Sequence, residues 1–332
     1  MLYGMAEPVK DSLVSLGQRV RVYTPYGQLM PGMAYLVRRL LENTSDDSFL
    51  RASFTENVSE ELLLMNPELR QNEGPSENVP APPPGLRNEP FTDFSKESAR
   101  KMMKEALSEV RKKLGATFPL VINGEEISTE TMESVNPSDH QQIVGRWCKA
   151  SVDHAKRALD VAEESFAAWR DTPVKERAGY LFNAAEVLRR RKYELCAWEI
   201  LECAKDWREA DADLAEAIDF CEYYGHEMIR LSEPRLRDVA GESNSYFYEP
   251  RGISVVLAPW NFPLAILCGM TTAAMVAGCP VIMKPAEQSS IMGAKLMEVF
   301  REVGVPPGVV SYLPGVGEEI GPTLVNDPRV AV

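Results

Sequence analysis

The sequence predicts an α/β fold whose later half is a mostly parallel sheet covered by helices. Three β-rich apolar runs carry this reading, at residues 253–257 (Ile-Ser-Val-Val-Leu), 281–284 (Val-Ile-Met-Lys) and 309–313. Near-continuous apolar strands are those covered on both faces, as parallel strands are. Helical stretches at 264–277 and 290–303 separate them, and each run ends in a Pro- or Gly-rich turn: Pro-Trp-Asn-Phe-Pro at 259–263, Lys-Pro-Ala-Glu-Gln at 284–288 and Gly-x-Gly-x-x-x-Gly at 315–321. Doubly wound α/β folds hold their ligands at the carboxyl ends of such strands.

From the amino terminus, residues 8–16 read as a helix, Val20 to Tyr23 as a short alternating strand, and 33–43 as a helix, together one βα unit. One such unit cannot bury both faces of its strand. Residues 66–93 hold seven prolines among Asn, Glu and Gly, a semi-rigid or disordered linker and the clearest domain boundary. The chain is therefore divided as 1–65, 66–94 and 95–332.

Residues 95–114 form a charged amphipathic helix with Met102, Met103, Ala106, Leu107 and Val110 on one side. Asn123-Gly124, between 118–122 and 125–127, is a strong hairpin signal. After a turn at 136–138 and a strand near 143–145, three helices are expected. The first is capped by Ser151. The second opens at Thr172-Pro173 and ends in the basic run 189–192. The third spans about 208–230. The carboxylates of the third, Glu209, Asp211, Asp213, Glu216 and Asp219, scatter around it, which favours a solvated surface over a metal site.

A formal charge of -13 argues against a nucleic-acid surface. No run approaches the roughly 20 apolar residues of a membrane helix, and the first residues lack the pattern of a secretory signal, so a cytoplasmic location is expected. The six cysteines include no C-x-x-C pair and read as buried, reduced thiols. With three histidines, none on a common face with cysteine, no metal site is expected.

On residue type alone Asn261 reads as a turn residue bonded to its own backbone; the sharper reading is an oxyanion-hole donor. The local run decides. Pro-Trp-Asn-Phe-Pro-Leu followed by Lys-Pro-Ala-Glu-Gln, with 23 positions from Asn261 to Lys284, resembles the aldehyde dehydrogenase superfamily. That resemblance implies a Rossmann-type cofactor domain. In it Lys284 and Glu287 would bind the adenosine ribose of NAD, Gly317 would let adenine approach the backbone, and Ala258, Pro259 and Trp260 would border the cofactor. Asn261 would hold the aldehyde oxygen and Phe262 would wall the site. Glu287 favours NAD, since a carboxylate repels a 2′-phosphate, and Lys284 leaves NADP open.

Residues 207–220 with Tyr223-Tyr224 look like the subgroup acting on L-glutamate γ-semialdehyde. Tyr-Leu-Val-Arg-Arg-Leu-Leu-Glu-Asn at 35–43 resembles the last strand and helix of the proline dehydrogenase (β/α)8 barrel. There Arg38 and Arg39 would grip the proline carboxylate, Tyr23 would pack on its ring, and Tyr35 and Glu42 would line the same site.

Together these features resemble the bifunctional proline utilisation A-like enzymes. FAD-dependent proline oxidation and NAD-dependent oxidation of the semialdehyde to glutamate are implied for the intact form, which would be a homo-oligomer. The expected architecture is an incomplete aldehyde dehydrogenase-like cofactor domain preceded by the last βα unit of a barrel. The family's nucleophilic cysteine and general-base glutamate are expected beyond Val332, so this stretch is expected to be inactive by itself. The alternatives are a non-catalytic nucleotide-binding or oligomerisation protein, and a fragment of a general NAD-dependent aldehyde dehydrogenase.

Overall fold

The computed structural model describes residues 3, 7–24, 32, 33, 35–37 and 86–332. The chain forms two compact units, Met1–Ala81 and Pro82–Val332.

In the first unit, helix α1 is Glu7–Ser15. The strand expected at 20–23 does not form: residues 20–22 have no regular structure and Tyr23 makes a single bridge. A strand exists only by pairing, and among the described residues the Tyr23 carbonyl accepts one backbone bond, from Tyr3 N–H at 2.9 Å. Residues 32–33 and 35–37 are helical; the rest of the helix expected at 33–43 lies outside the described residues, as do residues 66–85 of the linker.

The second unit is built on a five-stranded sheet. After helix α2 (Glu97–Arg111) come β1 (Ala116–Phe118), β2 (Leu120–Ile122) and β3 (Glu125–Ile127). Pro119, which has no N–H to donate, lies where the chain leaves one sheet for another: β1 pairs parallel with β5 (Asp139–Cys148), while β2 pairs antiparallel with β3. The β2–β3 hairpin turns on Asn123 and Gly124 at φ of 54° and 74°, the left-handed pair that a two-residue type I′ turn requires. Strand β4 (Thr131–Asn136) completes a three-stranded sheet on β5.

Four helices follow where three are expected: α3 (Val152–Asp171), α4 (Val174–Arg190), α5 (Lys192–Cys203) and α6 (Trp207–Leu231). Ser151 does cap α3, accepting from His154 N–H. Thr172 is no N-cap of α4; its hydroxyl donates to Ala168 O of α3. Helix α5 escapes a periodicity argument because Leu195, Cys196, Ala197, Trp198, Glu199, Leu201 and Glu202 are all buried, leaving no polar stripe to contrast with an apolar one. On α2 the buried stripe is Ala99, Met103, Leu107 and Val110, and Met102 is exposed.

After a short ribbon of β6 (Arg235–Leu236) and β7 (Ser245–Tyr246) come β8 (Ser254–Leu257), α7 (Ala265–Ala277), β9 (Val281–Lys284), α8 (Ser290–Glu302), β10 (Val310–Tyr312) and α9 (Gly317–Val325). Strand order is β3-β2-β10-β9-β8, with β8, β9 and β10 parallel. Side chains alternate as strand geometry demands. Val121, Val256, Val281, Met283, Val310 and Tyr312 enter the larger core with α2 and α4–α8, whereas Leu120, Ile122, Ile282 and Leu313 pack with α3 and α9. The sheet is thus covered on both faces and its three parallel strands end together. Beside β8, Ile253 bridges in parallel to Val330. Contrary to the expectation of full burial, β8 emerges at its end: Leu257 is 46% exposed, just before the 258–264 turn.

The carboxylates of α6 are not all solvated. Asp211 and Asp213 are buried. Asp211 accepts from Thr92 N–H and Oγ1–H and pairs with Lys192 Nζ at 2.9 Å. Asp219 accepts from Asn88 and from Glu89 N–H, so residues 86–94 are pinned along α6. They serve as acceptors for backbone that would otherwise be unpaired. Among the described residues no cluster has metal-ligand geometry, and no described helix is long and apolar enough to cross a membrane.

Candidate functional site

Three expected cofactor residues meet at the carboxyl ends of β9 and β10. Lys284, the last residue of β9, is buried, and its ammonium donates to Glu287 Oε1 at 3.0 Å and to Pro285 O at 3.1 Å. The same Glu287 oxygen accepts from Gly317 N–H, the first residue of α9, at 2.7 Å. Partial burial of Glu287 opposes its charge. Hydrogen bonds from its own backbone, Lys284 and Gly317 outweigh that and hold its carboxyl below the ordinary range. It is therefore a carboxylate at neutral pH, able to accept from a pair of hydroxyls. A Cβ on Gly317 would lie 3.5 Å from Glu287 Oε1 and 3.9 Å from Lys284 Nζ, so this glycine leaves open the space over the pair. These are the groups a nucleotide ribose would need: an anionic acceptor, a cationic donor and backbone without a side chain in the way.

The turn after β8 brings the other expected residues to the surface. Ala258 is buried, and its N–H donates to Lys284 O at 3.3 Å, fixing the turn to β9. Pro259 and Asn261 are exposed, Trp260 is 59% exposed and Phe262 40%. No hydrogen bond ties the Asn261 side chain to the described residues, so the self-bonded turn reading does not hold and its amide is available. Trp260, Asn261 and Phe262 line a pocket of about 330 Å³ with Cys203, Lys205 and Glu209. Trp260 and Cys203 also border a larger cleft, about 650 Å³, lined in addition by Ser134, His140, Trp147, Glu202 and Glu287. Trp260 thus stands between the Asn261 pocket and the cleft that Glu287 borders.

The six cysteines are all buried or half-buried. Cys148, Cys196, Cys221, Cys268 and Cys279 are buried. Burial, with Glu202 and Glu199 beside it, pushes the Cys203 thiol up, the wrong direction for a thiolate.

The wall formed by Cys203, Ala204, Lys205 and Glu209 is not foreseen from the sequence. Asp206 followed by Glu209 is a helix-start signature, and Asp206 does accept from Arg208 and Glu209 N–H; it could have placed a turn before α6. Nothing in the chain order places that turn beside Asn261.

In the first unit, the Tyr23 and Tyr35 rings lie 5.8 Å apart, tilted by 49°. Tyr23 is exposed. Arg38, Arg39 and Glu42 lie outside the described residues.

Comparison with known proteins matches residues 124–332 to the aldehyde dehydrogenase family and residues 1–52 to a model named proline dehydrogenase. The chain is 46% identical over 248 residues to 1-pyrroline-5-carboxylate dehydrogenase 1 of Halalkalibacterium halodurans, covering 74% of this chain and 48% of the relative. A solved Thermus 1-pyrroline-5-carboxylate dehydrogenase with bound NAD superimposes with a TM-score of 0.72 at 48% identity, covering 74% of this chain and 48% of that one. Proline utilization A from Bdellovibrio bacteriovorus gives a TM-score of 0.73 at 44% identity, covering 99% of this chain and 34% of that one. The chain spans about half the length of the curated relatives it matches.

Proposed function

Since the chain belongs to the aldehyde dehydrogenase family, we propose that its second unit forms the NAD-binding and aldehyde-oxygen-binding part of an L-glutamate γ-semialdehyde (1-pyrroline-5-carboxylate) dehydrogenase. The carrying observation is the meeting of Lys284, Glu287 and Gly317 at the ends of two parallel strands, beside a turn that presents Asn261. Glu287 and Lys284 hold the adenosine ribose hydroxyls, and the bare backbone at Gly317 admits the base. Ala258, Pro259 and Trp260 flank the cofactor. When bound, NAD supplies the hydride acceptor. Asn261 donates its side-chain N–H to the aldehyde oxygen, where negative charge develops during attack, and Phe262 walls the carbonyl carbon's side of the pocket. The six cysteines here do not provide the attacking thiolate.

The choice of aldehyde rests on the relatives, which are named for 1-pyrroline-5-carboxylate at 46–48% identity. The match of residues 1–52 supports coupling, in the whole enzyme, to FAD-dependent proline oxidation. There Arg38 and Arg39 would hold the carboxylate, because a pair of guanidinium groups grips a carboxylate in two places, Tyr23 would pack on the ring, and Tyr35 and Glu42 would line the same site. The larger enzyme is further proposed to be a cytoplasmic homo-oligomer.

The test is to mix the 332-residue chain with NAD and L-glutamate γ-semialdehyde and follow NADH absorbance. The expected result is NAD binding without turnover. Sustained NADH formation would contradict the reading that no cysteine in this chain serves as nucleophile.

A further inference from the structure

The carboxylate of Asp213, on α6, is almost wholly enclosed and accepts from the backbone N–H groups of Leu264 and Ala265 at 3.1 and 3.3 Å. Those groups open α7 directly after the Asn261-Phe262-Pro263 turn, and both residues are fully buried. The first N–H groups of a helix have no partner within it, and buried ones have no water to turn to. Leu264 provides no side-chain cap, so Asp213 supplies the missing acceptor from another helix.

The second Asp213 oxygen faces Lys205 Nζ at 3.7 Å. That ammonium also lies 3.1 Å from Glu199 and 4.6 Å from the centre of the Phe262 ring. Ala204, the residue before it, sits at φ 54°, a left-handed backbone that a non-glycine residue keeps only where its surroundings enforce it. One carboxylate therefore grips the start of α7 while the lysine paired with it touches the wall residue Phe262.

We propose that Asp213, backed by Lys205, is the positioning residue of the aldehyde pocket, holding the Asn261-Phe262 turn in the one conformation that aims the Asn261 amide at the carbonyl oxygen. This rests on the reading of Asn261 as the carbonyl donor.

The test uses the full chain, isotopically labelled for NMR. It measures amide hydrogen exchange at Leu264 and Ala265, the Asn261 side-chain resonance during titration with L-glutamate in the presence of NAD, and NAD affinity. Asp213→Leu removes the acceptor and keeps the branching of the side chain, though with more bulk. It is expected to speed exchange at both amides roughly ten- to hundredfold and to abolish the Asn261 response while NAD affinity stays unchanged. Asp213→Asn keeps an accepting oxygen and is expected to fall between wild type and Asp213→Leu, which covers the case in which the leucine variant does not fold. Unchanged exchange in the folded variants would overturn the clamp. Fast exchange with an unaltered Asn261 response would overturn the positioning role and leave a structural cap. A wild-type chain whose Asn261 resonance ignores L-glutamate would sink the reading of Asn261 as donor, and with it the positioning role, while exchange would still decide the clamp.

Discussion

Glu287 Oε1 accepts a hydrogen bond from Gly317 N–H at 2.7 Å, joining the turn after β9 to the first residue of α9. The bond sets the carboxylate at the mouth between two strand ends, with Lys284 on the same oxygen. Replacing Glu287 by Gln removes the charge and keeps the shape. Hydrogen bonds to charged groups are worth about 1.5–3 kcal/mol, so NAD affinity is expected to fall roughly tenfold or more in Glu287→Gln. Discrimination against NADP should shrink with the loss of the repelling carboxylate. Calorimetric titration with both cofactors checks this; equal affinities in the variant and the wild type would count against a ribose contact.

Gly317→Ala separates fold from site. The added Cβ meets Glu287 Oε1 and Lys284 Nζ at ordinary contact distance, so the unfolding midpoint should hold steady. The methyl group occupies the space assigned to the nucleotide, and NAD binding should weaken. A variant that loses stability and keeps its NAD affinity would place the glycine in the fold alone.

Glu202 gives a pH dependence. It accepts from Ile291 and Met292 N–H, both at 2.8 Å, and from Ser134 Oγ–H at 3.1 Å. Burial nevertheless outweighs these bonds and pushes its carboxyl from 4.5 up to about 7. An acid whose folded pKa is raised keeps its proton in the folded state after the unfolded chain has lost it. Its contribution is therefore full below about 4.5 and falls as pH rises to about 7, by about 3 kcal/mol in all. Urea unfolding of the wild type and Glu202→Gln across that window should show the variant free of this decline. Parallel pH profiles would remove Glu202 as its source.

Asp211→Ala tests the strap formed by residues 86–94. The substitution removes the carboxylate partner of Lys192, leaving it the Pro90 carbonyl, and frees Thr92 N–H and its hydroxyl. Removing one partner of a buried pair costs about 3–5 kcal/mol. Urea unfolding should show that loss, and limited proteolysis should cut the strap sooner than in the wild type.

Legibility in the sequence followed the physics of each signal. The parallel strands, the Asn123-Gly124 hairpin and the Ser151 cap are local patterns, and all appear in the structure. Helix α5 was illegible because burial on nearly every side erases periodicity. The burial of Asp211 and Asp213 is invisible to a helical wheel, which knows only its own helix; their partners, Thr92, Leu264 and Ala265, come from distant parts of the chain. The same holds for the site. Lys284 and Glu287 lie three residues apart and were readable as a pair, whereas the approach of Lys205 to Phe262 depends on packing that no local pattern records.

The most direct measurement is calorimetric titration of NAD into the 332-residue chain and into Lys284→Ala. The account predicts saturable binding to a single site in the wild type, weaker binding of NADP, and at least about a tenfold rise in Kd for the variant. No NAD binding by the folded wild-type chain, or equal Kd values for the two proteins, would contradict it.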